Sequence, residues 1–379
     1  MSDLLRLRPA ATPAMIAVFD DAAVIAHACA FEVALARAQA AHGLIPDAVA
    51  AVIASGVATH QIDAALLADE AALAGTLAIP LVARLRGMLP DEAAAALHGG
   101  ATSQDVADTV LMRQVKAACR LLAADAHRLY AALARQAWLH RDTPAIGRTL
   151  LQDALPVAFG LRLAQAAAGI GEALAQLDAA VARHAVVQLG GAAGTRRGMH
   201  DRGRAVADHM AAALDLVAGP PWHARRTGTV AIGAAVGLLI GAIGKCARDV
   251  SLLAQNGVGE AQEPLVDGRG GSSAMAHKRN PTGCQVALSA AIRAPGLVAA
   301  LLAGMPQEQE RGLGGWQAEG PVIADLFLLA AGSAAAMAAV AEGLDIDAGA
   351  IACNLAAAGM DEDIGESAAI IAELLGQKD

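Results

Sequence analysis

The chain has 379 residues, 56% of them hydrophobic and only 2% aromatic, so alanine and the aliphatic residues must build its interior. Alanine is the strongest helix former, and a helix-rich protein is expected. The net charge of -9, from 28 basic and 37 acidic residues, comes without a Lys/Arg block or aromatic stacking platforms, which excludes nucleic acid as a natural partner.

In chain order, the N-terminus MSDLLRLRPAAT has charges interrupting any apolar stretch and shows no signal-peptide pattern. Residues 14 to 42 read as one amphipathic helix stopped by Gly43. Shorter helical pieces, punctuated by Gly56, Gly75, Pro80 and Pro90, run to about residue 98. A long helix is expected over Val106 to His140, a break over 147 to 156, then helix to about His184. The glycines of 190 to 203 make a second break, followed by helix over 204 to 217 and a loop at AGPPWHARR. A very long helix should run from about 226 to 262. Its uncharged part, 227 to 244, approaches the length of a membrane span and repeats glycine at Gly233, Gly237 and Gly241. Arg225, Arg226 and Lys245 bracket it and it continues into KCARDVSLLAQ, so a helix buried inside a bundle is the preferred reading and no membrane is expected. Two further long helices cover 282 to 304 and 317 to 342, and the last 35 or so residues form a short helical tail. No strand alternation stands out, and the fold class is all-α. Cys29, Cys119, Cys246, Cys284 and Cys353 are odd in number and scattered, which fits free thiols in a reducing cytoplasm.

Polar residues concentrate in the helix breaks. HGGATSQDVADT (98 to 109) carries Thr102 and Asp105 at capping-box spacing. Its free N–H groups and the Thr102 and Ser103 hydroxyls suit a carboxylate, with His98 nearby, although a plain helix start explains the same residues. GRTLLQDALP (147 to 156) offers Arg148 and Gln152, with Asp153 as a partner for Arg148, and a salt-bridged loop is the plainer reading. GRGGSSAMAHKRNP (268 to 281) sets Ser272 and Ser273, then His277, Lys278, Arg279 and Asn280, on a glycine-rich loop suited to close approach of a ligand. The phosphate-loop order is absent from it, and a basic surface loop is the alternative. Metal-ligand clusters and dinucleotide glycine motifs are missing, so no cofactor is expected.

GSSAMAHKRNP resembles the fumarase/aspartase signature G-S-S-x-M-P-x-K-x-N-P, with Ala276 at the usual proline. HGGATSQDVADT and GRTLLQDALPVAFG are similar to that superfamily's first and second conserved segments, in family order. PWHARR, IGKCARDVSLLAQ and RAPGLVAALLAGMPQEQERGLGGWQAE are most similar to the bacterial 3-carboxy-cis,cis-muconate cycloisomerases within it, with adenylosuccinate lyase the nearest competitor.

The resemblance implies an all-α fold with an N-terminal helical region (1–105), a central long-helix bundle (106–345) and a short, truncated-looking C-terminal region (346–379). It also implies a homotetramer with a twenty-helix core and active sites shared between subunits. A small tricarboxylate would be the substrate. By likeness, Ser272 transfers the proton at carbon and Lys278 and Asn280 stabilise the carboxylate. His98, Thr102, Ser103, Arg148, Thr149, Gln152, Arg226, Ser273 and Met275 would complete the pocket. Superfamily lyases carry a histidine where this chain has Leu150, and the cycloisomerases lack it. A carboxylate nucleophile is already ionised and tethered, so it needs no base. A catalytically silent scaffold, of the kind known among lens crystallins of the superfamily, is the alternative of another class.

Overall fold

The computed structural model describes residues 4–59, 61–275 and 278–376. Seven short helices come first: α1 (Leu4–Leu7), α2 (Pro13–Val18), α3 (Asp21–Ala41), α4 (Asp47–Thr59), α5 (Ala64–Ala74), α6 (Ala78–Gly87) and α7 (Asp91–Ala96). The long α8 (Ser103–Leu139) leads into a hairpin of β1 (Pro144–Thr149) and β2 (Gln152–Ala158), then α9 (Phe159–His184) and α10 (Gly203–Ala213). After α11 (Thr227–Leu253) and β3 (Ala261–Gln262) come α12 (Thr282–Gly304), α13 (Gly315–Glu342), β4 (Asp345–Ile346), α14 (Ala348–Ala357) and α15 (Ser367–Leu374).

The long helices α8, α9, α11, α12 and α13 pack side by side as a bundle. Its interior is aliphatic, with Leu129, Leu133, Ile170, Ile232, Val236, Leu239, Phe327 and Met337 fully enclosed. Gly233 and Gly237 let α12 approach α11 closely, because a Cβ there would run into Leu301 and Val298. The glycine repeat is therefore a packing face within the bundle. Among the described residues four stretches are long and apolar enough to span a membrane by length and composition alone, but 61% of the most apolar 18-residue window in α11 and 67% of that in α13 is buried in the bundle. A second core, built on Phe31, Leu35, Ile53, Leu81, Leu85 and Leu97, joins the N-terminal helices to α10 and to Val187 and Leu189.

Three expectations are corrected. The helix expected over 14 to 42 is broken at Phe19 and Asp20, because Asp20 Oδ1 accepts the Ala23 N–H at 2.8 Å and restarts the helix as its N-cap. The helix expected to reach 262 ends at Leu253, where Gly257 and Gly259 at φ 84° and 61° turn the chain. The break at 147 to 156 is an antiparallel hairpin rather than a loop, and two residues of β3 pair with β4.

Candidate active site

The three polar helix breaks do not meet within one chain. α8 has 37 residues, which at 1.5 Å per residue separates its ends by about 55 Å. His98, Thr102 and Ser103 stand at its start, whereas the hairpin lies beyond its other end.

At the start of α8 the Thr102 N–H donates to Asp105 Oδ2 at 3.0 Å, while the Thr102 hydroxyl accepts from Arg311 Nη1 at 3.0 Å. Asp105 is fully buried and acts as a hub: it accepts the N–H groups of Gly190 and Gly191 at 2.9 Å each, and His223 Nε2 lies 2.8 Å from Oδ1. His98, at φ 65°, holds Nδ1 2.7 Å from Oε1 of the buried Glu32. Ser103 lines a mainly apolar cavity of about 320 Å³ with Phe19, Val106 and Leu111.

Arg226, expected as a substrate ligand, is corrected. It is 1% exposed, donates through Nη1 and Nη2 to Asp108 at 2.8 Å each and through Nε to Glu319 at 2.9 Å, and stacks on the Trp222 ring at 4.5 Å. Two buried carboxylates require this counter-charge, which leaves no free face for a ligand. Burial opposes its protonation, but Asp108 and Glu319 outweigh burial and raise its pKa.

At the other end Arg148 is held by a carboxylate that sequence reasoning did not identify. Its Nη1 and Nη2 donate to Glu260 at 3.0 and 2.6 Å, whereas the expected partner Asp153 sits 3.5 Å from Nε. Glu260 is fully buried and also accepts from Asn354 Nδ2 at 3.0 Å, with Arg162 Nη1 at 3.6 Å. Burial alone would raise the Glu260 carboxyl, but Arg148, Asn354 and Arg162 hold it below the usual range. The pair fixes the hairpin, whose exposed tip presents Thr149 opposite Gln152. Between them Leu150 and Leu151 turn the chain at φ 51° and 64° and are 97% and 78% exposed. A cleft of about 800 Å³ opens beside the hairpin, lined by Arg148, Thr149, Leu161, Arg162 and Lys245.

The glycine-rich loop leaves the same end, between β3 and α12. Asn280 closes its neck, its N–H donating to Gly270 O at 2.8 Å and its Nδ2 to Gly271 O at 3.1 Å. Ser272 Oγ accepts from the N–H groups of Ala274 and Met275 at 3.3 and 3.0 Å. Two donors on one hydroxyl oxygen favour negative charge there. Ser273, Met275 and Lys278 are exposed on the same lobe, and the Lys278 ammonium has no ion pair among the described residues. Ala276 and His277 lie outside the described residues.

Buried Glu263 fastens the base of the lobe: Oε1 and Oε2 accept the Cys284 and Gly283 N–H groups at 2.8 and 3.1 Å, Arg269 pairs with it at 3.2 Å, and its backbone oxygen takes Arg279 at 2.9 Å. Glu260, Glu263 and Arg311 went unnoticed in the sequence. The available signals were two acids in GEAQEP just ahead of the loop and an arginine in the turn QEQERGL. Among the described residues no group of three His, Cys, Asp or Glu is placed to hold a metal ion.

The sequence model of the lyase family matches residues 10–296. A 3-carboxy-cis,cis-muconate cycloisomerase of Bradyrhizobium diazoefficiens is 43% identical over 90% of this chain and 77% of its own length. One from Pseudomonas putida is 41% identical over 90% of this chain and 82% of its own. The crystal structure of the 3-carboxy-cis,cis-muconate lactonizing enzyme from Pseudomonas putida superposes with a TM-score of 0.87 at 39% identity, covering 93% of this chain and 79% of that one.

Proposed function

Because this chain belongs to the lyase family of the fumarase/aspartase superfamily, we propose that it is a cycloisomerase converting 3-carboxy-cis,cis-muconate to 4-carboxymuconolactone. The observation that carries this reading is the hairpin tip. The second conserved segment of a superfamily lyase offers a histidine there, and here Leu150 and Leu151 stand between Thr149 and Gln152. A reaction needing proton transfer at nitrogen or water finds no side chain for it at that place. A tethered carboxylate needs none.

The chemistry is an isomerisation, and its atoms balance without a co-reactant. A substrate carboxylate oxygen bonds to one alkene carbon, the π pair moves onto the adjacent carbon and its carboxylate, and one proton is taken up there. Ser272 is assigned the proton at carbon, supported by the two N–H donors on its oxygen. Lys278 and Asn280 are assigned the charge that develops on the carboxylate, where loss of one such donor costs roughly 10²–10³ in rate. Ser273, Met275, Thr149, Gln152, Arg148, Thr102, Ser103 and His98 bind substrate in this reading, Arg148 through the donors that Glu260 leaves open.

Since α8 keeps the segments apart in one chain, the site is shared between copies in a homotetramer. The poorly covered α12 supports self-association: 22% of its most apolar window is buried and Ile292 is 75% exposed. The reading divides the chain at 1–105, 106–345 and 346–379, and places the enzyme in the cytoplasm, in protocatechuate (β-ketoadipate) catabolism. The test is to supply the protocatechuate 3,4-cleavage product, follow loss of its absorbance and identify the product. Adenylosuccinate is assayed beside it. Lactone formation is expected, with Ser272→Ala keeping fold and assembly but losing nearly all turnover. Turnover of adenylosuccinate alone would reject the reading, and wild-type-like activity in Ser272→Ala would remove that serine from the mechanism.

A further inference from the structure

A groove of about 720 Å³ runs from the neck of the glycine-rich loop along the faces of α11 and α12. Asn280 and Gly271 line its inner end, and Arg248 of α11 and Arg293 of α12 line it farther along. Between them stand Ser251, Gln285 and Ser289, which donate or accept hydrogen bonds but carry no charge. Among the described residues no carboxylate lines this groove, in a chain that carries a net charge of -9. Neither guanidinium has an ion pair or side-chain hydrogen bond among the described residues. Arg148 and Arg226, by contrast, are each taken by a buried glutamate. Asp249, next to Arg248, is engaged by Lys245, and Glu263 is used by Arg269 and the first N–H groups of α12. The lining Thr282 adds an orphan: its Oγ1 is enclosed and makes no hydrogen bond, a vacancy in bonding that a buried polar group normally fills.

We propose that this groove is a polycarboxylate subsite, in which Arg248 and Arg293 bind the substrate carboxylates remote from the reacting carbon and so set the preference for a tricarboxylate. The inference rests on the proposed reaction, whose own reactive groups lie on the adjoining loop. Two guanidiniums exposed on the groove wall, with no acid paired to either among the described residues, attract an anion of high charge, and their planar forks match carboxylate oxygens in pairs. A substrate with fewer carboxylates leaves one fork empty and gains less.

Arg248→Gln, Arg293→Gln and the two Lys variants provide the test, with turnover, calorimetric binding and light scattering measured on each. The glutamine variants are expected to raise KM about 10- to 100-fold, as loss of a charge-assisted hydrogen bond requires, and to change kcat less than about threefold. The lysine variants recover part of the loss. Binding of tricarballylate weakens in parallel, while binding of the dicarboxylate glutarate changes less than about threefold. Unchanged KM and tricarballylate affinity in both glutamine variants would overturn the proposal. So would a drop in assembly mass, which would make the groove an interface between copies. Tight tricarballylate binding that the variants lose, in a wild-type protein that forms no lactone, would leave the subsite standing and reject the reaction.

Discussion

Replacing Leu150–Leu151 by Asn–Gly should make the protein more stable. Both leucines occupy the left-handed region, at φ 51° and 64°, in a two-residue hairpin turn. For an ordinary L-residue that region costs roughly 1–2 kcal/mol, and asparagine followed by glycine is the pair such a turn prefers. The side chains contribute little in return within the chain, since they are 97% and 78% exposed. Taking the lower end of the cost at each position, the double variant gains about 2 kcal/mol. Urea denaturation of both proteins at matched concentration reads this as a higher midpoint with an unchanged slope. A lower midpoint would refute the reasoning. It would mean that the leucines are buried against a neighbouring copy, where each is worth about 1.5–3 kcal/mol of apolar burial.

Glu260→Gln leaves Arg148 and the largely enclosed Arg162 without their shared carboxylate, and a loss of about 3 kcal/mol is expected in the same denaturation assay. Arg226→Met strands Asp108 and Glu319, whose side chains are 3% and 1% exposed. It should cost about 3–5 kcal/mol at pH 7 and less as the pH falls, since burial already raises the Glu319 carboxyl. His27 is held neutral, its pKa lowered from 6.5 to about 4 by burial and then by Arg113. Above pH 6.5 it is uncharged both folded and unfolded. As pH falls from 6.5 toward 4 the unfolded chain takes up the proton first, and stability is lost over that window. His27→Gln should flatten that limb of the stability–pH curve, and an unchanged limb would assign it to other groups.

The long helices were legible because their period is written in the aliphatic residues and their ends in Gly and Pro. α12 was read at its observed bounds, Thr282–Gly304. The hairpin was not legible, for two physical reasons. The register shifts between Ile146 and Arg148, which destroys the two-residue alternation, and the turn is Leu–Leu rather than a recognisable turn pair. The grouping of candidate residues was legible where they are neighbours in sequence, as with Ser272, Ser273, Lys278 and Asn280 on one loop. It was not where a partner arrives from afar: Arg226 meets Asp108 and Glu319 at separations of 118 and 93 residues. An isolated arginine then looks the same whether it awaits a ligand or is already paired.

The attachment of the glycine-rich lobe to Glu263 has a mechanical consequence. Both legs of the lobe are tied to this one buried residue, Arg269 on the way out and Arg279, Gly283 and Cys284 on the way back. That carboxylate and the Asn280 neck thus join the two legs to each other and to the first turn of α12, so the base of the lobe belongs mechanically to the bundle. Loss of the Glu263 carboxylate should therefore loosen both legs at once, whereas changes of residue beyond the neck leave the bundle to melt as before.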